Sequence, residues 1–189
     1  MTPGLSRARP LDGLTDFAVL ARGDGAVKLV LNDKSGMFVE LMPVSVGMGT
    51  TDMAAADLDR DGDLDVVSAN GISKNLSILK NDGTGLLAPY VPVPLPADSA
   101  TLADSVDQLA LGDLDKDGFP DLVAVISSKN LVSIFYNDRT GFFQNGYYLT
   151  TGVAPVGVVI ADIDRNGFQD LIVANRDSYT VTIGLRGCT

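Results

Sequence analysis

Three short segments of the chain share the pattern D-x-D-x-D/N-G-x-x-D, and they begin at Asp57, Asp113 and Asp162. Carboxylates at alternate positions can converge on one cation when a loop curls around it, and the glycine at position 6 permits the sharp turn that this requires. Calcium takes about six to eight oxygen ligands, and Asp is the shortest side chain that supplies a charged oxygen. Position 7 would add its backbone carbonyl, and the Asp at position 9 would complete the shell. The spacing therefore predicts three calcium sites.

The ligands of each predicted site follow from the alignment of the three segments. Site one comprises Asp57, Asp59, Asp61, the backbone carbonyl of Asp63, and Asp65. Site two comprises Asp113, Asp115, Asp117, the backbone carbonyl of Phe119, and Asp121. Site three comprises Asp162, Asp164, Asn166, the backbone carbonyl of Phe168, and Asp170. Because an amide replaces one carboxylate in site three, we expect that site to bind calcium most weakly.

Other interpretations of these segments fit less well. An EF-hand needs a Glu at position 12 of its loop, and here that position is Ser68, Ala124 or Val173. An acidic turn that binds nothing would crowd carboxylates together without a cation, and their repulsion argues against three matched copies. Magnesium prefers to keep several water ligands, so a cage built from the protein alone favours calcium.

The acidic segments belong to a longer repeat. A fourth, weaker copy at residues 11–21 keeps Asp12 and Asp16, but Ala8 and Pro10 replace the first two ligands, so we expect no metal there. The corresponding turn positions of the four copies are separated by 49, 56 and 49 residues. We attribute the longer middle spacing to a loop in residues 92–102, because its prolines do not suit a central strand.

The segments between the turns are short, rich in Val, Ile and Leu, and partly alternating, which is typical of β-strands. Asn-Asp pairs followed by a nearby glycine indicate hairpin turns after each third strand. Repeats of about fifty residues with four strands are typical of β-propeller blades. We therefore predict a single all-β domain, a β-propeller of four-stranded antiparallel blades. It would contain about three and a half to four repeats, at residues 1–48 (degenerate), 49–104, 105–151 and 152–189 (truncated).

Composition narrows the function classes. Asp accounts for 23 of the 24 acidic residues, and Glu40 is the other, a bias typical of loops and oxygen-ligand sites rather than of helices. The chain has no His, which excludes imidazole metal ligands and His-dependent relays. Its one cysteine, Cys188, cannot form an internal disulfide. A net charge of −10 without a basic stripe argues against nucleic acid as a partner.

The segments DLDRDGDLD, DLDKDGFPD and DIDRNGFQD, each followed by an apolar strand, resemble the FG-GAP/VCBS repeat. This repeat forms the calcium-loop blades of integrin α-subunit propellers and of many secreted bacterial proteins. The match continues through NDGTG and NDRTGFF and covers nearly the whole chain from Asp12. The resemblance implies calcium loops between the first and second strands of each blade. It also implies an extracellular or cell-surface location, although the first residues lack the apolar core of a signal peptide and no run approaches the ~20 apolar residues of a membrane helix.

The length of the chain departs from the family, whose propellers usually have about seven blades. The first unit is expected to lack a full inner strand and the last its outer strand. Three arrangements fit this count: a closed four-bladed ring, an open fragment with exposed blade faces, and half of a larger ring that a second copy completes.

Two functions follow from the resemblance. The first is a non-catalytic, calcium-stabilised module for adhesion, scaffolding or assembly, with a protein or glycan ligand. The alternative is a lectin-type propeller that binds carbohydrate between blades. The aromatic residues Phe142, Phe143, Tyr147 and Tyr148 would either stack on a sugar or pack between blades.

Two further motifs receive no function. Arg22, Gly23 and Asp24 spell an integrin-recognition tripeptide, but they lie where the other repeats have a turn between strands, and we interpret them as turn residues. An enzyme would need carboxylates that are not committed to metal, as in glycoside hydrolysis. The spare acidic residues near the loop of the second repeat are Asp98, Asp104 and Asp107. We therefore expect no catalytic residues.

Overall fold

The computed structural model describes residues 16–21, 24–32, 35–84, 86–94 and 106–187. Within these ranges the chain forms fifteen strands and one short 3-10 turn at Ser127–Lys129. The strands are β1 (Phe17–Ala21), β2 (Ala26–Asn32), β3 (Phe38–Glu40), β4 (Val44–Ser45), β5 (Thr50–Ala56), β6 (Asp65–Asn70), β7 (Asn75–Leu79), β8 (Val91–Pro94), β9 (Gln108–Gly112), β10 (Asp121–Ile126), β11 (Leu131–Asn137), β12 (Phe143–Thr150), β13 (Pro155–Ala161), β14 (Asp170–Asn175) and β15 (Thr180–Gly184).

The strands form four antiparallel sheets, each of which follows chain order. The first sheet has the order β1-β2-β3 with β4 also beside β2, the second β5-β6-β7-β8, the third β9-β10-β11-β12, and the fourth β13-β14-β15. The all-β propeller architecture predicted from the repeat is confirmed, because these sheets are its blades. No helix in the described ranges is long and apolar enough to span a membrane.

The two end blades differ from the middle blades in the strands that are described. Asp16 aligns with position 9 of the later loops, so β1 corresponds to the second strand of the other sheets. The remainder of the weak fourth copy, including Asp12, lies outside the described residues. The fourth sheet ends at β15 and has three described strands.

Part of the segment that we expected to be a loop is a strand. Residues 91–94 form β8, which pairs with β7 alone. Proline is tolerated on such an edge strand because one side of it makes no ladder hydrogen bonds. Our interpretation of Pro92 and Pro94 as loop residues was therefore wrong, whereas residues 95–105 lie outside the described part.

Neighbouring sheets pack face to face. We call the face directed towards the next sheet along the chain the forward face, and the face directed towards the preceding sheet the back face. Leu20 and Val27 of sheet one pack against Val66 and Leu79 of sheet two, and Val67 and Ile78 of sheet two pack against Leu122 and Phe135 of sheet three. Val123 and Ile134 of sheet three pack against Leu171 and Val173 of sheet four. Each of the three contacts therefore joins the forward face of one sheet to the back face of the next.

Polar side chains join the first strands of neighbouring sheets. Asp52 Oδ2 on β5 accepts a hydrogen bond from the backbone N–H of Leu109 on β9, at 2.9 Å. Gln108 Oε1 on β9 accepts one from the backbone N–H of Val158 on β13, at 3.1 Å. These bonds and the apolar faces set the spacing between blades, and with it the relative positions of the acidic loops.

Candidate metal centres

The three acidic loops have the same backbone conformation. Each lies between the first and second strands of its sheet. The residue at position 4 is left-handed in all three although none is glycine, with φ of 62° at Arg60, 62° at Lys116 and 61° at Arg165. The glycines at position 6 follow with φ of 98°, 92° and 83° in the same order. A left-handed non-glycine residue is uncommon, so its recurrence at one position indicates a shared, tightly determined loop.

Hydrogen bonds to the backbone orient the acidic side chains inside each loop. The carboxylate at position 1 accepts from the glycine N–H at position 6, over 3.1 Å at Asp57, 2.9 Å at Asp113 and 2.8 Å at Asp162. The side chain at position 5 accepts from the N–H at position 7, over 2.9 Å in the first two loops and 2.7 Å in the third. At Asp57 and Asp113 the other oxygen, Oδ1, is buried and has no hydrogen-bond partner in the described part of the chain. By contrast, Asp117 Oδ2 accepts from Arg139 Nε at 2.8 Å, and Asp162 Oδ1 accepts from the N–H of Asn166 at 3.1 Å.

Carboxylates converge in every loop. In each of the three groups one oxygen per residue lies within 4.8 Å of the others. The groups are Asp57, Asp59 and Asp61 in site one, Asp113, Asp115 and Asp117 in site two, and Asp162, Asp164 and Asp170 in site three. The structure thus brings together three predicted ligands in each site.

Four buried carboxylate oxygens in sites one and two have no hydrogen-bond partner in the described part of the chain. Three belong to the converging groups, Oδ1 of Asp57, Asp59 and Asp113, and the fourth is Oδ1 of Asp63, whose backbone carbonyl is the predicted ligand. Asp63 is only 8% exposed although it carries a carboxylate. Burying a charged oxygen without a partner is costly, whereas a bound cation would remove that cost. The donor set of sites one and two therefore fits a hard divalent cation.

The Asp at position 9 connects the loop to the end of the third strand, a role that we had not predicted. Asp65, Asp121 and Asp170 are fully buried. In each, Oδ2 accepts from the N–H at position 2 of the loop, over 3.2, 2.9 and 3.0 Å. In each, Oδ1 accepts from an N–H sixteen residues further on, over 2.8, 2.9 and 2.8 Å. Asp16 makes the second of these bonds in the first sheet, to the N–H of Asn32 at 2.8 Å.

Site one contains a lysine that the loop pattern did not reveal. The Lys80 ammonium lies 2.6 Å from Asp59 Oδ2 and 2.8 Å from Asp65 Oδ2. The equivalent positions carry Tyr136 in the third sheet and Leu185 in the fourth. Lys80 therefore offsets part of the high negative charge of the five aspartates in this loop. In site two a cation from the turn after the third strand has a similar place, since Arg139 Nε lies 2.8 Å from Asp117 Oδ2.

Site three differs through its asparagine. The Asn166 amide donates to Asp164 Oδ2 over 3.0 Å and to the backbone carbonyl of Arg186 over 2.8 Å. Asp162 and Asp164 are exposed, whereas Asp57 and Asp113 are partly buried. The third loop thus has one carboxylate fewer, and one of its remaining carboxylates already accepts a hydrogen bond from the amide.

Asn166→Asp is expected to raise the calcium affinity of site three about tenfold, because it adds a charged ligand and removes the amide donor from Asp164. The matched reverse change, Asp117→Asn in site two, should weaken that site by a similar factor. Isothermal titration calorimetry of both variants measures the two effects. An Asn166→Asp protein that binds calcium as the wild type does would contradict the assigned role of Asn166.

Calcium binding at site two is expected to weaken below about pH 6. Burial raises the pKa of the Asp121 carboxyl to about 6; N–H donors from Asn137 and Leu114 oppose this, and the Asp115 and Asp117 carboxylates add to it. Between the ordinary pKa of 3.8 and about 6, Asp121 is therefore protonated in the calcium-free folded chain and deprotonated in the unfolded chain. The stability of the calcium-free fold consequently rises as the pH falls from about 6 towards 3.8.

Calcium requires the deprotonated carboxylate, so binding near pH 6 should release protons, and binding near pH 8 should not. Calorimetry in two buffers of different ionisation enthalpy counts the released protons. Equal proton release at both pH values would contradict this coupling.

Side chains also link successive loops. The Arg60 guanidinium lies over the ring of Phe119 in the next loop, 4.9 Å from its centroid, and the Lys116 ammonium lies over the ring of Phe168 in the loop after that, at 3.7 Å. Each pair joins position 4 of one loop to position 7 of the next. Cation–π contacts of this kind are attractive at such distances. The sequence pattern contained this signal in the recurrence of basic residues at position 4.

The remaining residues that we singled out have varied positions. Arg22 and Gly23 lie outside the described residues, as do Asp98 and Asp104, whereas Asp107 Oδ2 accepts from the backbone N–H of Ser127 at 2.9 Å. Among the aromatic residues, Phe142 and Phe143 pack against the core between sheets two and three. Tyr147 and Tyr148 are exposed.

Comparison with known proteins places these loops in a wider group. The profile of the FG-GAP-like repeat matches residues 11–68, 57–124 and 113–173. No curated protein sequence matches the chain.

Solved structures resemble the chain at low sequence identity. A functionally unknown protein from Desulfotomaculum acetoxidans has a TM-score of 0.65 at 14% identity, over 92% of this chain and 49% of that one. A putative 6-phosphogluconolactonase from Bacteroides uniformis gives 0.65 at 14%, over 92% and 50%. A lectin from Agrocybe aegerita, solved for its recognition of non-reducing terminal N-acetylglucosamine, gives 0.54 at 16%, over 92% and 49%. The chain thus spans about half the length of these proteins.

Proposed function

Because the chain belongs to the FG-GAP-like repeat family, we propose that it is a non-catalytic β-propeller module for adhesion, scaffolding or assembly whose last three blades are stabilised by calcium. The observation that carries this proposal is the set of buried carboxylate oxygens in sites one and two that have no partner within the protein. A bound divalent cation would neutralise these groups and tie the first strand of each blade to the second.

The residues that would hold the ion are those at positions 1, 3, 5 and 9 of each loop, with the carbonyl at position 7. In support, the side chains at positions 1 and 5 already accept hydrogen bonds that orient them towards the loop centre. The position 9 oxygens also accept hydrogen bonds from backbone N–H groups of the loop and of the end of the third strand. Calcium bound to the same side chain would strengthen this connection between the loop and the third strand. Calcium here supplies electrostatic stabilisation, not a reactive centre.

Two considerations support a binding role outside the cell. Calcium reaches concentrations that weak sites need mainly in extracellular fluids, where module affinities of about 10⁻⁴ to 10⁻³ M are usual. The three groups of converging acidic residues in the described part all lie in the loops, where their spacing suits a metal ion. The likeness to a putative lactonase concerns the fold and carries no activity to this chain.

Limited proteolysis in calcium and in EDTA tests the proposal. We expect calcium to protect the full chain from cleavage, and the triple variant Asp57→Asn, Asp113→Asn and Asp162→Asn to be cleaved equally in both conditions. Magnesium at the same concentration serves as the control for ionic strength. Protection that persists in the triple variant would show that calcium acts elsewhere.

A second candidate function is carbohydrate binding between the third and fourth blades. Tyr147 is exposed beside Tyr136, with ring centroids 6.2 Å apart, and Arg186 from the fourth blade donates 2.8 Å to the Tyr136 hydroxyl and also to that of Tyr147. An aromatic surface with polar edges is suited to a sugar ring. A glycan array with wild type and Tyr147→Ala separates the candidates, since only a lectin would give a signal that the substitution removes.

A further inference from the structure

The forward face of the fourth blade is apolar and exposed. Ile183 and Val181 are 54% and 59% exposed. In the third blade, the residues at the same register positions are Ile134 and Val132, which are buried against the fourth blade. The forward face of the fourth blade therefore has the composition of a blade-to-blade contact, but no blade among the described residues covers it.

The back face of the first blade is likewise apolar and exposed. Phe17 is 49% exposed, and its ring lies 5.4 Å from that of Phe38, which is 51% exposed. Phe17 directly follows Asp16, and the residue at that position in the fourth blade, Leu171, is buried. The charged residues of this face, Lys28 and Glu40, form an ion pair of 2.7 Å with each other, so the face presents no unmatched charge to a partner.

A third observation concerns Arg165. Position 4 of the second and third blades places a cation over a ring of the following loop. In the fourth blade, the arginine at this position contacts no aromatic ring within the described part of the chain. Position 7 of the first copy of the loop is Leu14, which is not aromatic, so the first blade has no residue equivalent to Phe119 or Phe168 for Arg165, and the apolar face alone marks this edge as a contact.

We propose that the forward face of the fourth blade docks onto the back face of the first blade of a second copy, so that two chains close one ring head to tail. Every contact between successive blades pairs forward with back, and the two exposed faces are the unmatched halves of that series. The chain also spans about half the length of two solved structures that it resembles at a TM-score of 0.65. A heterologous contact of this kind closes when the rotation per copy fits the ring.

The mass of the full chain in solution, measured by light scattering after size exclusion in calcium, tests the docking. We expect twice the 19.8-kDa chain mass. Ile183→Lys on the forward face and Phe17→Lys on the back face should each raise the dimer dissociation constant at least about 100-fold, because each places a charge in an apolar contact. Ile72→Lys, which changes an exposed isoleucine on a turn of the second blade, is the matched control and should stay dimeric.

Mixing the two face variants distinguishes head-to-tail docking from other modes. Alone, neither variant can form an intact contact. In the mixture the forward face of Phe17→Lys meets the back face of Ile183→Lys intact, while the second contact of the ring carries both lysines, so a dimer should return with a dissociation constant between those of the wild type and the single variants. Circular dichroism verifies that each variant is folded. A monomeric wild type, an open series of larger masses, or a mixture that stays monomeric would overturn the proposal. The inference rests on the fold, so it would survive a failure of calcium binding.

Discussion

Removing calcium is expected to lower the free energy of unfolding by about 2.7 kcal/mol for each site that is held at roughly 100 times its dissociation constant. The physical cause is linkage, since an ion that binds the folded chain and not the unfolded one stabilises the fold by its binding free energy. Sites one and two, each with four carboxylate ligands, should contribute most. A cation already offsets part of the charge in both, Lys80 beside Asp59 and Asp65 in the first and Arg139 beside Asp117 in the second. Site three should contribute least because of Asn166.

Urea unfolding followed by circular dichroism, in calcium and in EDTA, measures this difference. Magnesium in place of calcium is the control, and it should restore only a small part of the stability because it dehydrates reluctantly. The triple variant with Asn at positions 57, 113 and 162 should unfold at nearly the same urea concentration in both conditions. Equal stability of the wild type in calcium and EDTA would contradict the linkage.

Asp121→Ala is expected to cost about 3–5 kcal/mol of folding stability even in EDTA, because two buried backbone N–H groups lose their acceptor. Its oxygens accept from Leu114 and Asn137, both at 2.9 Å, and the side chain is fully buried. This effect separates the structural role of position 9 from its role as a calcium ligand.

The matched control is Asp115→Ala at position 3 of the same loop. Asp115 is exposed, and its one described backbone acceptor bond, from the N–H of Asp117, is 3.1 Å long. In EDTA it should cost no more than about 1 kcal/mol, whereas in calcium it should reduce the stabilisation by the ion. Urea unfolding of both variants in EDTA decides the matter. If Asp121→Ala were as stable as Asp115→Ala in EDTA, the structural role of position 9 as acceptor for two backbone N–H groups would be wrong.

Much of this architecture could be predicted from the sequence because the same pattern of loops and strands occurs in several copies. Each acidic loop is followed by a short apolar run, and the copies keep nearly constant spacing, so loops, strands and blades could be assigned together. Pro92 and Pro94, which we expected in a loop, lie in an edge strand, so the avoidance of strands by proline is not general. Proline excludes a central strand, and which strand lies at the edge depends on the tertiary arrangement.

The structural roles of Asp65, Asp121 and Asp170 correspond to a regular spacing in the sequence. Each precedes by sixteen residues the position whose N–H it binds, and Asp16 stands at the same distance from Asn32. A constant distance between an acidic residue and a later turn indicates a contact between them. Lys80 left no such signal, because the equivalent positions in the other blades carry a tyrosine and a leucine.

The central claim is that the three loops bind calcium with unequal affinity, and its most direct test is a calorimetric calcium titration of the metal-free chain at pH about 8, above the pKa of about 6 of Asp121. We expect three ions per chain, two bound more tightly than the third, with the Asn166→Asp variant bringing the third close to the others. The absence of calcium binding, or four equivalent sites, would contradict the account.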